Sequence, residues 1–155
     1  MAETTQIVGF VLGDEHYGVD IMHVESIIRP VEITPVPRAP GFVEGIINLR
    51  GNIIPIVDLR KRLNMPVPAE NDDTRIVIAF VGDRRLGVMV DKVERVMNIP
   101  NDNIDVAPGT ASKAASQYVS GVARTGERGE TMIILLDIFR IFSAEEHEAL
   151  SKIKP

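Results

Sequence analysis

The sequence predicts an all-β protein of two tandem five-stranded barrels, with short helical turns and a helix near the C-terminus. Two observations carry this prediction: the chain contains an internal repeat, and each copy of the repeat consists of short Ile- and Val-rich runs separated by glycine turns. β-branched residues favour strands, and several short strands with frequent turns favour small barrels over an open sheet. The helix is predicted from the S-x-x-E spacing of Ser143 and Glu146, which is typical of a capping box.

The repeat aligns residues 7–28 with residues 76–97 at a constant offset of 69, and eight of these 22 positions are identical. The correspondence resumes at Gly45-Ile46 with Gly121-Val122 and at residues 53–58 with residues 132–137. Self-similarity of this kind indicates two copies of one structural unit. We therefore expect one domain over residues 1–155, with a first barrel copy over 7–63, a linker over 64–75, a second barrel copy over 76–142 and a C-terminal helix over 143–154.

Each copy begins with a predicted β-hairpin. Residues 7–12 and 17–21 form its arms in the first copy, and the glycine-containing turn between them favours the hairpin connection. The spacing of Ile21, Val24 and Ile27 by three residues then predicts a helical turn. Residues 100–117, which are polar and rich in small residues, are predicted to form a long surface loop with a helical turn.

A second hairpin is predicted over residues 45–63, where two apolar arms flank the turn Arg50-Gly51-Asn52. Asp58 has the chemistry to cap a short helix starting at Leu59. The basic run at residues 60–62 is predicted to be a solvated face. Arg50 has no arginine at the equivalent position of the second copy, where Gly129 stands. This asymmetry favours a functional role for Arg50.

Composition excludes several classes of protein. The chain has 155 residues, 45% hydrophobic and 25% charged, which is ordinary for a soluble globular protein. It has no cysteine, no run of about 20 apolar residues and no signal-peptide pattern, so we expect a cytoplasmic protein without disulfides or direct membrane insertion. The net charge of -5 argues against nucleic acid as a partner, because phosphate binding needs a basic face.

The sequence contains no recognisable pattern of catalytic residues. The three histidines His16, His23 and His147 share no metal-ligand spacing, so we expect surface histidines and no metal. Asp58 and Asp137 occupy equivalent positions in the two copies, which favours capping over a carboxylate pair. Nucleophile motifs and phosphate-binding loops are also missing. The sequence therefore predicts no catalytic residue and no cofactor, and it favours a binding module.

Three segments resemble the CheW family of chemotaxis coupling proteins. They are LGDEHYGVDIMHVESII (12–28), ITPVPRAPGFVEGIINLRGNIIPIVDLRKRL (33–63) and RRLGVMVDKVERVMNI (84–99), which together cover most of the chain. The resemblance implies a pair of five-stranded SH3-like barrels. Because neither kinase nor receiver segments flank the three motifs, we expect a stand-alone adaptor.

The resemblance further implies a non-catalytic scaffold that couples the cytoplasmic tips of chemoreceptors (methyl-accepting chemotaxis proteins) to the regulatory domain of the histidine kinase CheA. Such an adaptor is recruited to membrane-bound receptor arrays and helps to build them. The receptor-binding positions carried over to this chain are Ile21, Val24, Ile27, Gly45, Asn48 and Arg50. The kinase-binding edge is carried over to Ile33 and Val36, and the second barrel would serve the ring contact.

The residues themselves leave two alternatives open. Val24 has the twin Val93 and Gly45 has the twin Gly121, so core packing and backbone geometry also account for these positions. The alternative function is a small-molecule-binding β-barrel module, or an unrecognised hydrolase, with its site in the crevice between the copies.

Overall fold

The computed structural model describes residues 3–106, 118–126 and 128–152. The strands are β1 (Thr4–Leu12), β2 (Glu15–Asp20), β3 (Val24–Ile28), β4 (Val43–Leu49), β5 (Asn52–Asp58), β6 (Arg75–Val81), β7 (Arg84–Val90), β8 (Lys92–Pro100), β9 (Ile104–Val106), β10 (Val119–Thr125) and β11 (Thr131–Leu136). Short 3-10 turns cover Ile21–His23 and Asn101–Asn103, and the α-helices are α1 (Leu59–Arg62) and α2 (Ala144–Ser151).

The strands form two sheets, and the predicted all-β fold with two barrel-like units is confirmed. One sheet has the order β8-β1-β2-β11-β10-β9, and the other has the order β3-β6-β7-β5-β4. The first sheet has six strands because the short β9 pairs with β10. At the equivalent place in the second sheet, Thr34 forms an isolated bridge with Ile46.

The sheets do not follow the copies of the repeat. The six-stranded sheet joins β1 and β2 of the first copy to β8–β11 of the second, and the five-stranded sheet joins β3–β5 to β6 and β7. The expected division into barrels over residues 7–63 and 76–142 is therefore wrong. The physical reason is that a two-stranded hairpin leaves its outer edge unpaired. That edge is filled in parallel by the last strand of the opposite copy, β11 beside β2 and β5 beside β7.

The segment over residues 64–74 consequently connects different elements from those expected. It was predicted to link two barrels, yet it connects α1, which follows β5, to β6 of the same sheet. The chain crosses between sheets elsewhere, after β2 through the turn Ile21–His23 and again between β7 and β8.

Three hydrophobic clusters hold the sheets together. One belongs to the five-stranded sheet and one to the six-stranded sheet, whereas the largest draws residues from both sheets, including Phe10 and Val19 from one and Val57 and Val88 from the other. Alternate residues of β6 divide between clusters because successive strand side chains point to opposite faces. Ile76 and Ile78 lie in the single-sheet cluster, while Val77 and Ala79 lie in the shared core.

The predicted helix caps are confirmed. Asp58 precedes α1 and accepts the backbone N–H of Arg60 at 2.9 Å. Ser143 precedes α2, where its Oγ accepts the N–H of Glu146 at 3.1 Å and Glu146 Oε1 accepts the N–H of Ser143 at 2.7 Å. The helix ends at Ser151, and the last two residues of its predicted range lie outside the described part of the chain.

Two other local predictions are only partly right. The helical turn predicted from Ile21, Val24 and Ile27 covers Ile21–His23 alone, and the chain continues as β3. β-branched residues dominate this segment, and pairing with β6 completes its backbone hydrogen bonds. The loop predicted over residues 100–117 holds a 3-10 turn and β9, while residues 107–117 lie outside the described ranges.

Arg60 is buried, so its prediction as a solvated residue is wrong. Its side chain is 3% exposed and makes a two-pronged contact with Asp58, from Nε to Oδ1 and from Nη2 to Oδ2, both 2.9 Å. Nη1 donates to Asp91 Oδ1 at 2.7 Å, and Asp91 Oδ2 accepts the N–H of Gly13 at 2.7 Å. The hydrogen bonds that Arg60 donates to Asp58 raise the pKa of Arg60, although burial opposes this shift. The network joins the end of β5 to the β1–β2 turn of the other sheet.

Tyr17 gives a pH-dependent prediction. Its ring is buried and its hydroxyl donates to Glu15 Oε2 at 2.8 Å, so burial and then this hydrogen bond raise its pKa. Because the folded pKa lies above the unfolded value of about 10, this contribution to stability is present below about pH 10 and is lost as pH rises further. Denaturant titrations should show a shallower alkaline decline of the unfolding free energy for Tyr17→Phe. Tyr118→Phe is the control, and equal slopes for the protein and Tyr17→Phe would contradict the assignment.

Candidate functional site

Side chains that could bind a metal ion are not gathered into one site in the part of the chain that the structure describes. No group of three or more His, Asp or Glu side chains there could hold a metal ion. None of the helices described is long and apolar enough to cross a membrane. Two of the histidines have defined partners: His16 Nδ1 lies 2.7 Å from Glu94 Oε1, and His147 Nε2 lies 2.7 Å from the carbonyl oxygen of Phe139. The candidate site is the surface that carries the predicted binding residues.

An apolar stripe along β3 and the 3-10 turn before it contains three of the predicted residues. Ile21 and Val24 are half-buried and pack against the shared core, whereas Ile27 is 39% exposed. A register shift between Val24 and Ser26 places Val24 opposite Ala79 and Ile27 opposite Val77. Because directly paired residues lie on the same face of a sheet, the shift brings Val24 and Ile27 onto the face that carries the shared core. The register thus places Val24 and Ile27 on one face, and Ile21 packs with Val24 against the shared core.

The equivalent stripe on β8 was missed by sequence reasoning. Val93 is half-buried against the shared core, and Val96 is 49% exposed. They pair with Phe10 and Val8, both members of that core. The offset of 69 that aligns Val24 and Ile27 with these two residues is the signal that could have found them. The shared core thus has an exposed aliphatic margin on each sheet.

The turn between β4 and β5 presents Arg50. Arg50 has a φ of 53° and Gly51 a φ of 88°, and β4 pairs with β5 up to Leu49 opposite Asn52. Positive φ at both central residues is the mark of a two-residue hairpin turn that matches the twist of the strands. Asn48 stabilises the turn, since its Oδ1 accepts the N–H of Gly51 at 2.9 Å. Arg50 is exposed, and its guanidinium makes no hydrogen bond or ion pair with the residues described.

Gly45 is required by the local backbone geometry. It is buried with a φ of 150°, and a Cβ added there would overlap the carbonyl oxygen of Thr34. Thr34 approaches because it exchanges two backbone hydrogen bonds of 2.9 Å with Ile46. The twin Gly121 meets a similar limit, with its added Cβ 2.6 Å from the carbonyl oxygen of Asp105. Both glycines leave room for a neighbouring backbone to pair with their strand: Thr34 with β4, and β9 with β10.

The predicted receptor residues fall into two groups. The stripe on β3 and the turn after β4 lie on opposite edge strands of the five-stranded sheet, with β6, β7 and β5 between them. Gly45 lies within β4 and forms the base from which that strand reaches the turn. The grouping of the stripe and the turn into one binding site stays a prediction.

The two predicted kinase-binding residues have different surroundings. Ile33 is half-buried and packs against the core of the five-stranded sheet. Val36 is half-buried and lines a groove between the proline-rich segment before β4 and helix α2. The other residues lining that groove are Pro37, Arg38, Ala39, Pro40, Glu145, Glu148, Ala149 and Lys152. Val36 is thus better placed than Ile33 to contact a partner.

Comparisons with known proteins identify the family. The family model of the CheW-like domain matches residues 6–146. The chemotaxis protein CheW of Treponema pallidum (strain Nichols) is 37% identical over 155 residues, covering 97% of this chain and 89% of the relative. That of Klebsiella aerogenes is 36% identical over 137 residues, covering 88% of this chain and 81% of the relative.

A solved structure agrees with the sequence comparisons. The crystal structure of the scaffolding protein TtCheW from Thermoanaerobacter tengcongensis superposes with a TM-score of 0.83 at 36% identity. The superposition covers 94% of this chain and 96% of that one. A match to the family model across most of the chain, with relatives of this similarity, establishes membership: the chain belongs to the family of CheW-like domains.

Proposed function

We propose that this chain is a non-catalytic chemotaxis adaptor that couples the signalling tips of chemoreceptors to the regulatory domain of CheA and helps to build receptor arrays. The observation that carries the proposal is the family match over residues 6–146. The exposed aliphatic margin of the shared core supports it, because a binding module needs apolar surface that the fold itself leaves uncovered.

The stripe on β3 suits a helical receptor tip. An amphipathic helix binds in an apolar groove whose margin carries polar groups. Val24 and Ile27 offer the apolar contact, and Val96 extends the set of exposed aliphatic residues. Arg50 offers five N–H donors to carboxylates or to carbonyl groups at a helix end. Gly45 acts indirectly, since it shapes the strand that presents this arginine.

The backbone of Arg50 supports a role in binding. An L-residue in the left-handed region costs roughly 1–2 kcal/mol, and asparagine or glycine is favoured at this turn position. Arg50 adopts a φ of 53° without a described side-chain partner inside the fold. A local conformational cost that the fold does not offset is typical of functional positions. Hydrogen bonds from Arg50 to acceptor groups of a partner would offset this conformational cost.

Replacing Arg50 with glycine should separate stability from binding. Arg50→Gly relieves the positive φ and should raise the unfolding free energy by about 0.5–1 kcal/mol, while weakening receptor binding about tenfold through the lost charged hydrogen bonds. Arg38→Gly is the matched control, because Arg38 is also exposed with a φ of 63°. It should gain similar stability and keep receptor affinity. Equal receptor affinity in Arg50→Gly and the unsubstituted protein would remove Arg50 from the site.

The experiment that tests the adaptor function is reconstitution. The protein should co-sediment with receptor signalling fragments and CheA, and it should raise CheA autophosphorylation in their presence. Val24→Met should weaken that activation while the protein keeps its cooperative thermal transition. If Val24→Met loses the transition, Val24 is a core residue. If the unsubstituted protein binds neither partner, the proposed function is wrong.

The kinase contact is proposed for the groove beside Val36. Its walls combine the proline-rich segment and α2, so the lining holds the apolar residues Val36 and Ala149 together with the ion pair of Glu148 and Lys152. Ile33, which packs against the core of the five-stranded sheet, is proposed to hold the segment that leads to Val36 rather than to touch the kinase. The second barrel-like unit remains the proposed ring contact.

A further inference from the structure

A second groove lies on the opposite flank of α2 and belongs to neither proposed partner surface. It has a volume of about 430 Å³ and runs between the start of β5, the β6–β7 turn and the end of α2. Its apolar lining includes Ile53, Pro55, Leu86, Phe139 and Leu150. Leu86 and Leu150 are buried, so the floor is a firm part of the fold.

Phe139 forms an exposed aromatic wall that is held in place. Its side chain is 57% exposed, although its ring stacks on the imidazole of His147 with a centroid separation of 4.1 Å. His147 Nε2 also lies 2.7 Å from the carbonyl oxygen of Phe139, which fixes the backbone beside the ring. An exposed aromatic side chain that is already ordered loses little conformational entropy on binding a flat apolar group.

The rim of the groove is cationic in a chain whose net charge is -5. Arg84 and Arg85 enter it from the start of β7, and Asp83 is the one acidic residue in the lining described. Arg85 is already paired through Nε with Glu25 and lies 5.6 Å from the ring centroid of Phe80. Among the residues described, Arg84 makes one hydrogen bond, from Nη1 to the carbonyl oxygen of His147 at 3.2 Å. The guanidinium carries four further N–H donors that could meet an anion.

We propose that this groove binds a small amphipathic organic anion, with an aromatic or aliphatic body against Phe139, Ile53 and Leu86 and a carboxylate on Arg84. The volume lies in the usual range of small-ligand pockets, about 300–1,000 Å³, and suits one ring system with a short acidic arm. Charge complementarity selects an anion, because two arginines and one acidic residue stand in the lining described, and Arg84 makes only one described hydrogen bond beside the apolar floor. This inference is independent of the adaptor function.

Indole-3-acetate is the probe for the test. The chain contains no tryptophan, so indole excited at wavelengths longer than those its two tyrosines absorb reports the probe without background from the protein. Fluorescence titration of the full chain should give saturable binding. The neutral amide, indole-3-acetamide, has the same ring without the charge and should bind at least about tenfold more weakly, since a charged hydrogen bond is lost. Acetate, which lacks the apolar body, should not compete.

Two groove variants and two controls locate the binding. Phe139→Ala and Arg84→Gln should each weaken indole-3-acetate binding at least about tenfold. Met132→Ala and Arg124→Gln change an exposed methionine and an exposed arginine elsewhere, so they should leave the affinity within about twofold. Melting temperatures of all four show whether the fold persists.

Three results would overturn the proposal. They are a lack of saturable binding to the unsubstituted protein, equal affinity for the acid and the amide, and undiminished binding in both groove variants. A groove that accepts only a longer peptide segment would give the first of these results.

Discussion

Arg60→Ala should lower the free energy of unfolding by about 3–5 kcal/mol, because it leaves Asp58 buried without its cationic partner. For a chain of this size we expect the melting temperature to fall by about 10 °C. The loss is large because one guanidinium satisfies Asp58 at two atoms and Asp91 at a third, and Asp91 in turn accepts the N–H of Gly13. Thermal and denaturant unfolding followed by circular dichroism measure the effect.

Two further variants make this prediction specific. Arg60→Lys keeps the charge but cannot make the two-pronged contact, so its loss should be intermediate. Arg124→Ala removes an exposed arginine whose Nε lies 3.3 Å from Asp105 Oδ2, and it should change stability by less than about 1 kcal/mol. An Arg60→Ala loss no larger than that of Arg124→Ala would show that the buried network contributes little.

Gly45→Ala should cost about 3–5 kcal/mol, because it combines overpacking with backbone strain. The new methyl would overlap the carbonyl oxygen of Thr34 and lie 2.8 Å from Ile33 Cγ2, at a φ of 150°. Backbone atoms held by two hydrogen bonds to Ile46 have little room to move. The measured unfolding free energy should fall, and the bridge between Thr34 and β4 should lose its protection from amide hydrogen exchange.

Gly51→Ala is the matched control for this substitution. Gly51 also has a positive φ, 88°, but an added Cβ meets nothing within 4 Å. Its cost should therefore be the conformational term alone, roughly 1–2 kcal/mol. Similar losses for the two variants would mean that the approach of Thr34 is not the constraint at Gly45.

Local features of the fold were predictable because they depend on neighbouring residues. The caps at Asp58 and Ser143 follow from side chains that reach backbone N–H groups two or three residues away. The hairpins follow from short apolar runs around glycine turns. The exchange of strands between the sheets was not predictable. The repeat shows that β2 and β7 are equivalent, but it does not show whether each pairs with the last strand of its own copy or with that of the other copy. Burial of Arg60 depends on Asp91, which is 31 residues away.

The candidate site was predictable to a similar degree. The repeat identified Arg50 as a residue without an equivalent in the second copy. It also suggested that Gly45 is required by backbone geometry, and the close approach of Thr34 is that requirement. It could not show that a register shift turns Ile27 to the face of Val24, because a strand's register depends on the strand beside it. The resemblance supplied Val24 and Ile27 but not their counterpart Val96, which the offset alone would have added.

The interleaving of the two copies also determines the order in which the molecule can assemble during synthesis. The hairpin β1–β2 is made early, yet its sheet neighbours β8 and β11 are translated long afterwards. Until then the nascent hairpin carries two open edges, which are templates for unwanted pairing. Pairing β1 with β8 and β2 with β11 requires the long chain segments between them to close into loops, which costs entropy. The topology therefore favours slower folding than that of a chain whose repeats fold one at a time. The five-stranded sheet can be completed once β7 has been translated, whereas the six-stranded sheet, which contains the first two strands of the chain, must wait for β11.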